Sequence, residues 1–156
     1  MTHYPSRFFR FLKSNRYYRK IFVFDLDKTL WDHTIETSPT ISSRTAVENY
    51  IHKDRLKILE AIQNDGHSLH IASRSREREK CLELLDLAFP TITFQTKEIF
   101  PTPEWKREHF ANIIPPNHTD VFYYFDDELP IIKNIKAFYP NCVPFHVKGG
   151  LHSHIF

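Results

Sequence analysis

Ile21-Phe22-Val23-Phe24-Asp25-Leu26-Asp27-Lys28-Thr29-Leu30-Trp31 is the stretch that decides the fold. Four apolar, mostly β-favouring residues run straight into two carboxylates spaced i, i+2. An uninterrupted apolar run of this kind fits a strand buried on both faces, as in a parallel sheet. A buried carboxylate is costly unless it is paired or bound to metal. Two at the end of such a strand therefore call for a cation. Ligands of open α/β sheets bind beyond the carboxyl ends of the strands, and Asp25 and Asp27 are expected there.

Downstream, the pattern alternates between helix and strand. Residues 54–64 read as a helix, with Leu56, Leu59 and Ile62 at i, i+3, i+6 and Ile58 beside them. Asp65-Gly66 stops it. Residues 67–72 form a second strand, whose polar end Ser73-Arg74-Ser75 leads into a helix over about 77–87. That helix carries Cys81, Leu84, Leu85 and Ala88 on one side, and Pro90 ends it. Residues 91–95 are β-branched and aromatic, a third strand. A helix over about 104–113 follows, with Trp105 and Phe110 as anchors. Residues 120–125 repeat the logic of the opening, Val-Phe-Tyr-Tyr-Phe running into Asp126-Asp127. A helix over about 128–138 and a strand over 142–147 complete the series, and Gly149-Gly150 opens the tail. This alternation implies an α/β protein: three layers, a doubly wound and mainly parallel sheet, helices on both faces.

A chain of 156 residues has the length of one domain and can bury a core without staples. An apolar fraction of 41% with 26% charged residues is that of an ordinary soluble globular protein. The 14 phenylalanines read first as core filling. A formal net charge of +2 does not by itself point to nucleic acid. Two cysteines, Cys81 and Cys142, make no disulfide framework and suit a reduced intracellular compartment, cytoplasmic with the nucleus as alternative. No run approaches ~18 apolar residues, so no transmembrane segment is expected, and the N-terminus lacks the apolar core of a secretory signal.

Residues 1–20 hold Arg7, Arg10, Lys13, Arg16, Arg19 and Lys20, with Phe8, Phe9, Phe11, Leu12, Tyr17 and Tyr18 interleaved and no acid. Two readings stand. The segment is an arm for nucleic acid or an anionic membrane surface, or its aromatics dock on the domain while its charges stay solvated. Residues 32–50 are polar and contain Pro39. They read as a flap leaving the first strand, with Thr40-Ile41-Ser42 as a piece of a short hairpin, and are too few for a full cap domain. The expected organisation is an extension over 1–19 and one domain over 20–156.

Two strands of this sheet end in paired carboxylates, Asp25/Asp27 and Asp126/Asp127. If the strands are neighbours, up to four carboxylates meet at one rim, and oxygen ligands of this hardness select Mg2+. The plainer account is that Asp126-Asp127 caps the helix starting near Glu128. It explains one aspartate well and the pair poorly.

Asp-Leu-Asp-Lys-Thr-Leu fits the D-x-D-x-T pattern of the haloacid dehalogenase (HAD)-like phosphohydrolases. Extended through Trp31, it resembles their magnesium-dependent phosphatase branch. Ile71-Ala72-Ser73-Arg74 resembles the second motif, a strand ending in a phosphate-binding hydroxyl. Glu98-Ile99-Phe100-Pro101, then Lys106 and His109-Phe110, resembles the third. Tyr124-Phe125-Asp126-Asp127-Glu128 resembles the fourth. The resemblance covers roughly residues 20–150 and implies a HAD-like, Rossmann-like hydrolase with a short flap. It implies Asp25 as nucleophile forming an aspartyl-phosphate and Asp27 as general acid and base. It implies Lys106 as the balancing cation and Ser73 as a phosphate ligand. Mg2+ would be held by Asp25, Asp126, Asp127 and the backbone carbonyl of Asp27. Lys97 rivals Lys106. Arg74 and Trp31 are candidates for substrate contact, with His33 beside the entrance. The histidines form no ligand array apart from His152 and His154, and default to surface or core.

The chain departs from the family at Lys28, in the basic N-terminal segment and in the flap. These departures leave the phosphorylated substrate open. The first expectation is a phosphomonoesterase whose open site admits phosphotyrosine on a protein or a phosphosugar. The alternative is a phosphatase of nucleic-acid ends or of a polymerase tail, using the N-terminal arm. A catalytically silent phosphate-binding scaffold is disfavoured, because Asp25, Asp27, Lys106 and Asp126-Asp127 are all present.

Overall fold

Five parallel strands in the order β3-β2-β1-β4-β5 form the sheet. They are β1 (Ile21–Phe24), β2 (Ser68–Ser73), β3 (Phe94–Ile99), β4 (Phe122–Asp126) and β5 (Cys142–His146). Four helices connect them: α1 (Lys53–Asn64), α2 (Arg78–Ala88), α3 (Arg107–Ile113) and α4 (Leu129–Phe138). This is a computed structural model, and it describes residues 7, 8, 10, 11, 19–37 and 51–156. The suggested hairpin around Thr40 and most of the flap and N-terminal extension lie outside the described residues.

Successive strand residues alternate between two cores, as the period of a strand requires. Phe22, Phe24, Tyr123 and Phe125 face α1 and α2 with Leu59, Ile62, Leu84 and Leu85. Val23, Phe122 and Tyr124 face α3 and α4 with Phe110, Ile113, Ile131 and Ile135. Hence the three layers. The phenylalanines fill the first core as expected: Phe24 stacks on Phe125, and Phe125 on Phe145, each at 4.8 Å. Cys81 and Cys142 are fully buried free thiols, and burial pushes them up to about 11 and about 12.

The described N-terminal residues dock. Phe8 is fully buried and meets Phe156 at 4.7 Å, and Phe11 meets Tyr123 at 5.1 Å, while Arg7 and Arg10 stay exposed.

Two expectations fail here. The third strand begins at Phe94, not at residue 91. The β-branched residues before it lie in a turn, where Ile92 N–H donates to Phe89 O and Thr93 N–H to Gln63 Oε1. Pairing with β2 instead draws Thr96, Lys97 and Glu98 into the strand. An edge strand tolerates such polar residues because one side of it meets water. Likewise α3 begins at Arg107, and Trp105, expected as an anchor, is 39% exposed. The loop before α3 turns Trp105 outward and its neighbour Lys106 inward.

Candidate active site

β1 lies between β2 and β4, and the chain order reverses across β1 and β4. That is the switch point at which a crevice opens beyond the strand ends. A cavity of about 210 Å³ sits there, lined among others by Asp25, Asp27, Ser73, Lys106, Asp127 and Glu128. The predicted meeting of the two acidic strand ends is what the fold delivers. Asp25 N–H donates to Phe125 O, which fixes the two ends in register.

Asp25, Asp126 and Asp127 each present a carboxylate oxygen within 4.8 Å of the others. Lys106 Nζ lies among them, 2.8 Å from Asp25 Oδ1, 2.8 Å from Asp126 Oδ2 and 2.9 Å from Ala72 O. The ammonium is 2% exposed, so these three acceptors replace its water. Lys106 reaches the site because Asp25 and Asp126 point to the face that α3 covers, on the same strand period as Val23 and Tyr124. Lys97, the rival, pairs with Ile71 within the sheet and does not line the cavity.

Asp126 is the best-held acid. Tyr124 Oη donates to its Oδ2, and Glu128 N–H donates to its Oδ1 at 2.9 Å. The Glu128 contact holds the turn ahead of α4 but does not cap the helix, whose N-cap is Glu128 itself, so the plainer reading of Asp126 as the cap fails. Burial would raise its pKa, but Lys106 and these donors hold it below the usual range. Asp25 goes the other way: burial first, then the Asp126 charge, push it well above. Asp127 rises too, through burial and the same charge. Lys106 would fall on burial alone, but the two carboxylates keep it above its ordinary value. Three crowded carboxylates thus face one ammonium. Oxygen donors gathered in this way suit a hard divalent cation, so the donor set fits one.

The loop after β1 turns sharply. Lys28 adopts φ 61, and the N–H groups of Thr29 and Leu30 return to Leu26 O. Thr29 Oγ1 donates to Asp25 Oδ2 at 3.3 Å. Asp27 Oδ1 accepts from Trp31 Nε1 at 2.7 Å and from Ile35 N–H at 3.0 Å. Asp27 contributes no side-chain oxygen to the three-carboxylate group. Trp31, expected at the substrate entrance, is instead fully buried in the core and absent from the cavity wall. Leu26 and Leu30 pull the turn into the apolar layer and carry the indole with them, so Trp31 orients Asp27 from behind. His33 lies beside Trp31 at 6.4 Å and does not line the cavity.

Ser73 ends β2 inside the cavity, its Oγ accepting Ser75 N–H at 3.2 Å. Arg74 lines the wall too, 3.5 Å from Glu128. His109, left unassigned by the sequence, is wholly buried with Nε2 2.9 Å from both Ser73 O and Phe100 O. It stacks on Phe100 at 4.0 Å and pins the Ser73 turn to β3. Tyr124 was missed as well, although its i, i+2 relation to Asp126 on a strand is a signal that the two share a face. His152 adds nothing to the cavity, and the side chain of His154 lies outside the described residues.

Comparison with known proteins agrees with this geometry. The acid phosphatase family matches residues 17–156, and the chain belongs to it. Human magnesium-dependent phosphatase 1 is 27% identical over 148 residues, covering 85% of this chain and 80% of that protein. One similar fold is the N-terminal part of BF1531 from Bacteroides fragilis, containing a phosphatase domain complexed with Mg. Its TM-score is 0.63 at 16% identity, with 84% of this chain covered. Another is a chain of the Pnkp1/Rnl/Hen1 complex, TM-score 0.60 at 19% identity, with 85% of this chain covered. The chain spans 36% and 47% of those two structures' lengths. The HAD-like, three-layer parallel fold expected from the motifs is therefore borne out. Among the described residues no helix is long and apolar enough to cross a membrane.

Proposed function

We propose that this phosphatase is a Mg2+-dependent phosphomonoesterase that works through an aspartyl-phosphate on Asp25. The observation that carries the reading is the convergence of the Asp25, Asp126 and Asp127 carboxylates around the buried Lys106 ammonium. The similarity to a magnesium-dependent phosphatase supports the choice of metal. Asp25, Asp126, Asp127 and the Asp27 carbonyl would hold Mg2+, which supplies charge neutralisation for the phosphoryl oxygens.

The chain's own groups do the rest. An Asp25 carboxylate oxygen attacks phosphorus; the new O–P bond forms as the bond to the leaving oxygen breaks. Asp27 gives that oxygen a proton. Its Oδ1 is occupied by Trp31 and Ile35, so Oδ2 carries the proton. Asp27 then takes a proton from water, which attacks phosphorus, releases phosphate and restores Asp25. Ser73 Oγ, which accepts Ser75 N–H and keeps its own hydrogen to give, donates to a phosphoryl oxygen. Lys106, 2.8 Å from Asp25 Oδ1, aims that carboxyl and offsets part of the burial that disfavours its charge, and phosphoryl transfer depends mainly on such positioning and charge balance.

The test is hydrolysis of p-nitrophenyl phosphate. Activity should need Mg2+, vanish in EDTA and vanish in Asp25→Asn. Borohydride trapping during turnover should label Asp25 of the native protein alone. Undiminished turnover by Asp25→Asn would refute the covalent route.

A further inference from the structure

A second cavity, about 310 Å³, opens beside the first and shares Lys28 and Asp127 with it. Its other walls are Asp32, Val147, Lys148 and Gly149. A phosphate placed between Asp25 and Ser73 would have its ester oxygen near Asp27, and the two shared residues join that position to this second space.

The two cavities differ in charge balance. In the first, the outer acids have partners: Glu128 meets Arg74, and Glu36 accepts Arg76 N–H at 2.9 Å. In the second, Asp32 is matched by Arg55, with Nη2 2.6 Å from Asp32 Oδ1. Asp127 belongs to the three-carboxylate group. Lys28 and Lys148 remain, both exposed, neither with a carboxylate partner among the described residues. Lys28 also holds φ 61, a conformation that costs a long L side chain about 1 kcal/mol or more and that glycine or asparagine adopts more readily. No packing explains a lysine there, since its side chain is exposed. Its place on the wall common to both cavities does.

We infer that Lys28 and Lys148 form a leaving-group subsite, and that the substrate is a small phosphomonoester carrying a second anionic group, carboxylate or phosphate. The inference rests on the phosphatase reading above and narrows its substrate class. The volume suits a compact metabolite. The two ammonium groups select it by charge, and the effect weakens with salt because both sit in water.

The experiment compares kcat/KM within two matched pairs at fixed Mg2+. The first pair is 3-phosphoglycerate against glycerol 3-phosphate, in which the second anion is a carboxylate. The second is fructose 1,6-bisphosphate against fructose 6-phosphate, in which it is a phosphate. The native protein should prefer the more anionic member of at least one pair, and which pair identifies the anion. That preference should fall about threefold in Lys28→Gln or Lys148→Gln and about tenfold in the double variant, in line with exposed ion pairs. Lys28→Arg should restore it, and Lys133→Gln, which removes an exposed charge on α4, should leave it unchanged. No preference in the native protein, or a preference untouched by the double variant, overturns the subsite and leaves the phosphatase reading standing. Absence of Mg2+-dependent turnover on all four compounds overturns both.

Discussion

Gly150→Ala should destabilise the protein by roughly 3–4 kcal/mol, through one identifiable neighbour. Gly150 has φ +89, and a Cβ there would stand 2.1 Å from Arg55 Nη2 and 2.7 Å from its Cζ. The left-handed backbone alone costs alanine about 1 kcal/mol. The clash adds more, because the Arg55 side chain is only 3% exposed and holds the tail. Its Nε donates to Leu151 O at 3.1 Å and its Nη2 to Gly149 O at 3.2 Å. A guanidinium pushed outward loses both carbonyls, at about 1–1.5 kcal/mol each. It can keep Asp32, which is 56% exposed and so contributes little either way. The measurement is urea unfolding followed by fluorescence of the buried Trp31, in the native, Gly150→Ala, Arg55→Met and double variants. With Arg55 gone, alanine at 150 should cost only the backbone part, leaving a coupling of about 2 kcal/mol. A Gly150→Ala penalty under 0.5 kcal/mol, or one equal in both backgrounds, would refute the argument that the guanidinium occupies the space glycine leaves.

Two further outcomes follow from other contacts. Trp31→Phe removes one of two donors to Asp27 Oδ1 while keeping most of the ring. It should lower kcat about tenfold with KM little changed, the loss of one hydrogen bond to a charged group; a raised KM at unchanged kcat would return Trp31 to the substrate entrance. His70 is buried with its ring nitrogens 2.7 Å from Thr96 Oγ1 and 2.9 Å from Ser68 Oγ. Burial, then the Arg19 charge, lower its pKa from 6.5 to about 4. The folded protein therefore binds fewer protons than the unfolded chain between those values. Stability is fully present above pH 6.5 and drops as pH falls towards 4, by about 3 kcal/mol from this residue. Urea unfolding at pH 7 and pH 4.5 should show a smaller drop in His70→Gln than in the native protein, and equal drops would remove His70 from the account.

The sheet was legible because β1 and β4 are buried on both faces, and such strands are written as unbroken apolar runs. The edge strand β3 was not. Its residues Lys97 and Glu98 carry no strand signal of their own, and pairing with β2 draws them into one. The same limit applies at Trp31 and Trp105. Both are large aromatics beside a functional residue, and composition cannot say which way a loop will turn them. Packing against Leu26 and Leu30 drew Trp31 in, whereas the loop before α3 leaves Trp105 out. That Asp25, Lys106 and Asp126 would meet was readable from the order of motifs along the chain. The parts of Tyr124 and His109 were not, because they consist of contacts that only the fold creates, to Asp126 in one case and to the Ser73 and Phe100 carbonyls in the other.

The acids at the strand ends are not held alike. Asp126 faces Lys106, Tyr124 and a backbone N–H, which hold it below the usual carboxylate range. Asp25 shares Lys106 with it, and burial and the Asp126 charge push its pKa the other way. The covalent route proposed above needs Asp25 as a carboxylate, and a divalent ion beside Asp25 and Asp127 would favour that form. On this reading the metal requirement follows from the crowding of acids at the strand ends as much as from the charge on the substrate.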